Sequence, residues 1–300
     1  MLEGAETAPP DLPVCAGCDT VDAAEPEWGL TTAIITLATD FGTRDSYVAE
    51  MKGVILGIAP TVRLVDVTHD VEPQQVAEAA LAVDAAAPFF PRGTIHLAVV
   101  DPGVGTTRRG LVVVAGEQCF VGPDNGLFTP ILLRGGWAAF ELAAPEYRRP
   151  AVSRTFHGRD VFAPAAAHLA LGIAPSRFGA PVTDPVRLSW PEARPVPGGV
   201  AGAVVHIDRF GNLVTSIPAA QVETPAAGAV RICGSVLPVV GTYADLPPGG
   251  AGAVVGSRNR LEVVVRDGNA AERFGARRGT PVVFRRTVSL PGAKRPRSRS

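Results

Sequence analysis

The chain has 300 residues, 46% of them hydrophobic and 19% charged, with a formal net charge of -1. That length suffices for two ordinary globular domains. The near-neutral balance excludes a basic field for nucleic acid or an acidic membrane surface, and no run reaches the roughly 20 apolar residues of a spanning helix.

Residues 1–31 are acidic and Pro-rich and read as a disordered leader. They lack the basic start and apolar core of a signal peptide, which gives a cytoplasmic expectation. Cys15-Ala-Gly-Cys18 has CxxC spacing but no further ligands nearby, so its thiols are read as incidental. From Thr32 strands and helices alternate. Ala33–Ala38 is a β-rich apolar run ending in the turn Thr39-Asp40-Phe41-Gly42. A helix from about Asp45 to Ile58 places Val48, Met51, Lys52 and Ile55 on one side and stops before Pro60. Val62–Val67 is the second strand, a helix opened by Pro73 runs to about Ala87, and Thr94–Val100 is the third strand. This order implies parallel pairing through right-handed crossovers.

Leu111–Val114 and Gln118–Val121 are further strands, and Pro123-Asp124-Asn125-Gly126 is a turn opening a short helix. A longer helix follows Phe156-His157-Gly158-Arg159-Asp160 and runs to about Leu171. After Gly199 short β-rich runs alternate with Gly/Pro turns: Ala203–Ile207, Leu213–Ile217, Val230–Ile232, Ala253–Val255, Leu261–Val265 and Pro281–Phe284. The predicted architecture is an N-terminal α/β domain over 32–185 with a central, mostly parallel sheet. A linker at 186–199, a smaller all-β, barrel-like domain at 200–288 and a basic tail at 289–300 complete it.

Polar residues gather where the predicted strands end, the edge at which open α/β sheets bind ligands. Val99–Gly110 (VVDPGVGTTRRG) is the most telling stretch: a buried strand stops at Asp101, and a glycine turn delivers Arg108. A carboxylate and a guanidinium there must be paired or used. Asp40 is read as functional from its strand-end position, with turn capping as the alternative. Asp66 and Asp70 are read as loop and N-cap residues before the second helix. His69 is undecided, His96 and His168 are structural, His206 is unassigned, and Cys119 and Cys233 are buried fillers. His157, at a helix N-terminus, is held neutral by the dipole and suits proton transfer. DPGVG without a following Lys-Ser/Thr is a weak phosphate loop. The residues alone leave open a metal-dependent hydrolase built on Asp and His and a metal-free site in which Asp101, Arg108 and His157 position water.

Six blocks, in order, narrow this: ITLATDFGTRDSYVAEMKGVI, GTIHLAVVDPGVGTTRRGL, FVGPDNGLFTPIL, SRTFHGRDVFAPAAAHLA, IDRFGNLVTSI and LEVVVRDGNAAERFG. Together they resemble the S-adenosyl-L-methionine (SAM) hydroxide adenosyltransferase family, related to the fluorinase and chlorinase. The resemblance covers about Ile34 to Phe284. It implies a homotrimer whose active site lies between the N-domain of one subunit and the C-domain of its neighbour. It further implies hydrolysis of SAM to adenosine and methionine by attack of water at ribose C5′, with no metal and no cofactor. The catalytic set it implies is Asp101, Arg108 and His157. A fluorinase carries Tyr in place of this Asp and Tyr-Ser where this chain has His157-Gly158, so the residues here point to water as nucleophile. By the same resemblance Asp40 holds the ribose hydroxyls and Asp45 and Ser46 lie in the adjacent substrate turn. Asp208, Asn212, Ser257, Arg258, Glu262 and Val265 surround the methionine end and adenine edge. The alternatives are a chlorinase-like SAM-dependent halogenase and a non-catalytic adenosine- or SAM-binding protein.

Overall fold

The computed structural model describes residues 32–222 and 228–286. The readings made for the 1–31 leader, for Cys15 and Cys18, and for the 289–300 tail lie outside these described residues.

Ile34–Thr39 forms β1, Tyr47–Ile58 α1, Arg63–Thr68 β2, Val76–Ala86 α2 and Ile95–Val99 β3. Gly110–Ala115 (β4) and Gln118–Pro123 (β5) make a hairpin, followed by α3 (Thr129–Leu133), β6 (Trp137–Glu141) and α4 (Ala163–Ala170). The sheet order is β2-β1-β3-β5-β4-β6. The β1/β2, β1/β3 and β3/β5 pairs are parallel, as the alternation of strands and helices implies, whereas β4 runs antiparallel to β5 and β6. One consequence positions the site. The ends of β1, β3 and β5 and the start of the antiparallel β4 all fall on the same sheet edge.

The inner strands β1 and β3 are buried on both faces, which is why β3 reads as a continuous apolar run rather than an alternation. Leu97, Val99 and Val121 face Met51 and Ile55 of α1 and the Ala-rich α4, while Ala98, Val100 and Phe120 face Ala79 and Val83 of α2. Helix α1 buries Val48, Met51 and Ile55, a stripe at helical spacing. Burying each such side chain stabilises the fold by roughly 1.5–3 kcal/mol.

Arg194–Val196 (β7), Gly199–Ile207 (β8), Leu213–Pro218 (β9), Gly228–Ile232 (β10), Ser235–Pro238 (β11), Ala251–Val255 (β12), Arg260–Val265 (β13) and Pro281–Arg286 (β14) build the second half, with the short helix α5 (Ala270–Phe274) before the last strand. Their order is β11-β10-β14-β8-β9-β13-β12, with β7 beside β8. A bridge between Val239 and Ala253 nearly joins the two ends into a barrel. Leu81 of α2 packs with Val205, Val214 and Trp190 where the α/β half meets the barrel. No helix among the described residues is long and apolar enough to cross a membrane.

Three sequence expectations require correction. Cys233 is exposed, not a buried filler, because β10 stops at Ile232 and Cys233-Gly234 forms the tip of a tight hairpin. Both tip residues have positive φ (45° and 78°), as a type I′ turn demands. Asp66 and Asp70 do not cap α2, whose N-cap is Gln75 without a side-chain cap bond. Asp66 lies on β2 instead and pairs with Lys52 at 2.7 Å, while its other oxygen lies 3.0 Å from His69 Nε2. The sequence reading also lacks strands β6, β7 and β11 and helix α5, and β7 falls within the stretch read as a linker.

Candidate active site

Strand β3 ends at Val99, and the chain turns through Asp101-Pro-Gly-Val-Gly105 before β4 begins at Gly110. Gly105 takes φ +77°, and a side chain there would run into the Arg154 carbonyl. The turn therefore returns to the edge it left and brings Arg108 back to Asp101. Arg108 Nε donates to Asp101 Oδ1 at 2.9 Å and to Oδ2 at 3.1 Å, and Nη2 donates to Oδ2 as well. The same Nη2 lies 2.8 Å from His157 Nδ1. The Asp101 and Arg108 side chains are 5% and 12% exposed, so the pair is largely desolvated. The Arg108 guanidinium also stacks 5.1 Å over the Phe162 ring.

His157 is half-buried and stands at the N-cap of a π-helical turn, Gly158–Phe162, that leads into α4. Burial, and after it the Arg108 charge, pushes its pKa below the usual imidazole value. The direction is the one expected from sequence, though burial and Arg108, rather than the helix dipole, bring it about. A guanidinium can only donate, so Nδ1 must accept and the neutral ring carries its proton on Nε2. Three residues on, Asp160 is fully buried, and its N–H donates to the carbonyl of Phe156, the residue before His157. Burial alone would raise the Asp160 carboxyl, but hydrogen bonds from Arg159, the Ser153 N–H and Arg149 outweigh it and hold the pKa at about 2.

The other predicted residues of the α/β half do different things. Asp40 is half-buried and its Oδ2 accepts the Gln74 N–H at 2.9 Å, which fixes the turn after β2. Thr39 Oγ1 is bonded to His69 Nδ1 at 2.9 Å, and the Gly42 N–H donates to the His69 carbonyl. His69 thus holds the Thr39–Gly42 turn, a role its sequence position did not disclose. Asp45 is exposed, and Ser46 donates to Glu50, whose second oxygen receives Arg159. His96 is structural, as expected: it bonds Thr36, stacks on Phe120, and burial lowers its pKa to about 4. Burial raises the Cys119 thiol to about 12, a value suited to an inert thiol.

In the barrel half, Asp208 Oδ1 accepts the N–H groups of Phe210 and Asn212, and Oδ2 accepts Asn212 Nδ2 at 2.9 Å. Asn212 reaches Tyr243 Oη at 3.5 Å. Tyr243 has no sequence signal, since it opens a short 3-10 turn, Tyr243–Asp245, remote from every motif. Glu262 on β13 is buried; burial first and the Asp208 charge second raise its pKa, against the pull of Arg258. Ser257 and Arg258 are exposed and line a cleft of about 680 Å³ with Asp70 and His206, between α2 and the β12–β13 turn. The Val265 side chain is committed to the barrel core. Among the described residues, no hydrogen bond or ion pair joins the Asp101 set to the Asp208 set. No group of three or more His, Cys, Asp or Glu among them is arranged to hold a metal.

Residues 35–179 match the SAM hydroxide adenosyltransferase N-terminal domain and residues 202–283 the SAM hydroxide adenosyltransferase C-terminal domain. The chain is 43% identical over 252 residues to a Thermus thermophilus protein named (R)-S-adenosyl-L-methionine hydrolase, covering 81% of this chain and 96% of that one. A Salinispora tropica protein of the same name is 40% identical over 253 residues, 83% of this chain and 96% of its own. The crystal structure of an uncharacterized conserved protein from Thermotoga maritima superposes with a TM-score of 0.80 at 33% identity, covering 84% of this chain and all of that one. The chain belongs to the SAM hydroxide adenosyltransferase family.

Proposed function

We propose that this protein hydrolyses SAM, in the (R) form named for its relatives, to adenosine and L-methionine. In this reading a water held by Asp101, Arg108 and His157 attacks ribose C5′. The C5′–O bond forms, the C5′–S bond breaks, and its electron pair returns to sulfur. The sulfonium charge disappears and one proton leaves the water. The leaving group is a neutral thioether, so it needs neither a general acid nor a Lewis acid. The task left to the protein is to present a weak nucleophile in line and largely free of solvent.

The observation that carries this reading is the Asp101–Arg108–His157 hydrogen-bonded chain at the sheet edge of a protein of this family. With Nδ1 engaged by Arg108, the neutral His157 ring offers Nε2–H to the water oxygen and orients it. Asp101 is then the group that takes the water's proton, and Arg108 balances its charge. Retention of Asp101 and His157 favours water over halide as nucleophile.

Asp40, Asp45 and Ser46 are assigned to the ribose side of the substrate. Asp208, Asn212 and Glu262 suit the ammonium and sulfonium charges, and Ser257 with Arg258 suits the methionine carboxylate. Val265 is left to contribute through its backbone. Because the Asp208 set shares no bond with the Asp101 set, the complete site is read as forming between the α/β half of one subunit and the barrel of its neighbour in a homotrimer. The test is chromatography of products after incubating chelator-treated protein with SAM, with and without chloride. Adenosine and methionine in equal amounts are expected in both samples, and 5′-chloro-5′-deoxyadenosine as the sole nucleoside product would overturn the reading.

A further inference from the structure

Asp124-Asn125-Gly126 directly follows β5, which ends at Pro123, on the edge that carries Asp101 and Arg108, yet the chemistry above gives it no role. Its bonds go to the chain neighbours of both members of that pair, Val100 before Asp101 and Arg109 after Arg108. Asn125 Nδ2 donates to the carbonyl of Val100, the residue before Asp101, at 2.9 Å. Asn125 Oδ1 accepts the Leu127 N–H, so both ends of the amide are used. Asp124, whose side chain is 2% exposed, accepts Arg109 Nε at 2.9 Å and Nη2 at 2.7 Å on Oδ2. The Asp124 N–H donates to the Arg109 carbonyl at 2.9 Å, the same carbonyl that receives Arg108 Nη1. Asp124 Oδ1 is occupied by the Val186 N–H, and Arg109 runs on to Asp184.

The loop between Asp101 and Arg108 cannot set their spacing alone. It is glycine-rich, and residues 105–107 are exposed. The backbone bonds within it join Val104 to Asp101 and Thr106 to Gly103. We propose that Asp124 and Asn125 are positioning residues: Asn125 pins the Asp101 side and Asp124, through Arg109, pins the Arg108 side, so one turn fixes the distance between carboxylate and guanidinium. The inference rests on the assignment of Asp101 to the hydrolytic reaction. The residue types follow from the bonds. An amide can donate to the Val100 carbonyl while accepting the Leu127 N–H, and a carboxylate can receive two guanidinium nitrogens and the Val186 backbone N–H without an unpaired donor.

The test is a set of double-mutant cycles read as kcat and KM for SAM, with the melting temperature of each variant followed in parallel. Asn125→Ala, Asp124→Asn and Arg109→Lys are each made alone and in an Asp101→Ala background. A misplacement near 1 Å can lower turnover by about 100-fold, so kcat is expected to fall roughly 10- to 100-fold with little change in KM. The loss is expected to vanish once Asp101 is gone, a non-additivity that a purely structural role does not produce. Asn125→Asp keeps the acceptor but loses the donor and is expected not to restore kcat. Wild-type kcat in folded single variants overturns the inference. So does an equal fold-loss in the Asp101→Ala background, while the hydrolytic assignment stands. Wild-type turnover by Asp101→Ala instead overturns the assignment of Asp101, and the positioning role falls with it. If Asn125→Ala fails to fold, the isosteric Asp124→Asn and the half-exposed Arg109→Lys carry the same comparison.

Discussion

Arg108 addresses Asp101 with two of its nitrogens and shares one of those two with His157: Nε bonds both carboxylate oxygens, and Nη2, bonded to Oδ2, lies 2.8 Å from the imidazole Nδ1. The guanidinium therefore does two things at once. It offsets the charge of a largely buried carboxylate with short hydrogen bonds, and it forces the imidazole into one neutral tautomer.

If Asp101 takes the proton, its removal must act on the chemical step. Asp101→Ala is expected to lower kcat about 100- to 10,000-fold, the range for loss of a positioned base, with KM little changed. Asp101→Asn keeps the shape, loses the acceptor, and is expected to be nearly as impaired. Steady-state kinetics on both variants, with circular dichroism to verify folding, tests this.

The state of His157 gives the pH dependence. Its pKa is displaced downward, by burial first and by Arg108 second, so the neutral ring persists above a value lower than the usual 6.5. Turnover is expected to hold from neutral pH downward and to fall only as pH drops through that lowered value. There protonation of Nδ1 would break the bond from Arg108. Arg108→Gln is expected to move the His157 midpoint, followed by NMR of the ring protons, upward, because it removes the lowering charge and leaves the raising influence of Asp101.

Glu262 offers an opposite case. Its carboxyl is buried and its pKa raised, by burial and then by Asp208. A folded-state pKa above the unfolded value favours the fold below about pH 4.3 and loses that contribution as pH rises through the folded value. At neutral pH the carboxylate thus opposes folding. Glu262→Gln is expected to raise the melting temperature at pH 7, with the gain fading toward pH 4. The same variant is expected to raise KM for the cationic substrate. A rise in stability together with weaker binding marks a residue kept for function.

A site shared between subunits predicts complementation. Asp101→Ala and Asn212→Ala disable opposite sets, and co-expression of the two variants mixes them within oligomers. Random assembly leaves about a quarter of the shared sites with both sets intact, so activity is expected to return well above that of either variant. A mixture no more active than its components would mean that each site is built from one chain.

Much of this was readable from the sequence, for identifiable reasons. Strands β1 and β3 are apolar runs cut off by polar turns, and Val48, Met51 and Ile55 mark the buried stripe of α1. The Asp101–Arg108 pairing was legible because both lie on one short loop, and His157 because its motif was distinctive. Helix α5 carried a local signal that went unused: Asn269 caps the Glu272 N–H, and Gly275 closes the helix with φ +57°. Strand β6 was hidden because Trp137–Glu141 is only partly buried and does not alternate cleanly. The work done by His69, Asp124 and Asn125 could not be read at all. Their partners are Thr39, Arg109 and Val100, brought near by sheet pairing and not by sequence. Asp66 shows the reverse error, a carboxylate near a helix start whose strand position commits it to Lys52 and His69.

The most direct test of the central claim is to follow the oxygen. Chelator-treated protein is incubated with (R)-SAM in water enriched in ¹⁸O, and the products are analysed by mass spectrometry. The account predicts one ¹⁸O atom in adenosine, at the 5′-hydroxyl, none in methionine, and loss of that labelled product in Asp101→Ala. Adenosine without the label, or labelled adenosine formed undiminished by Asp101→Ala, would contradict it.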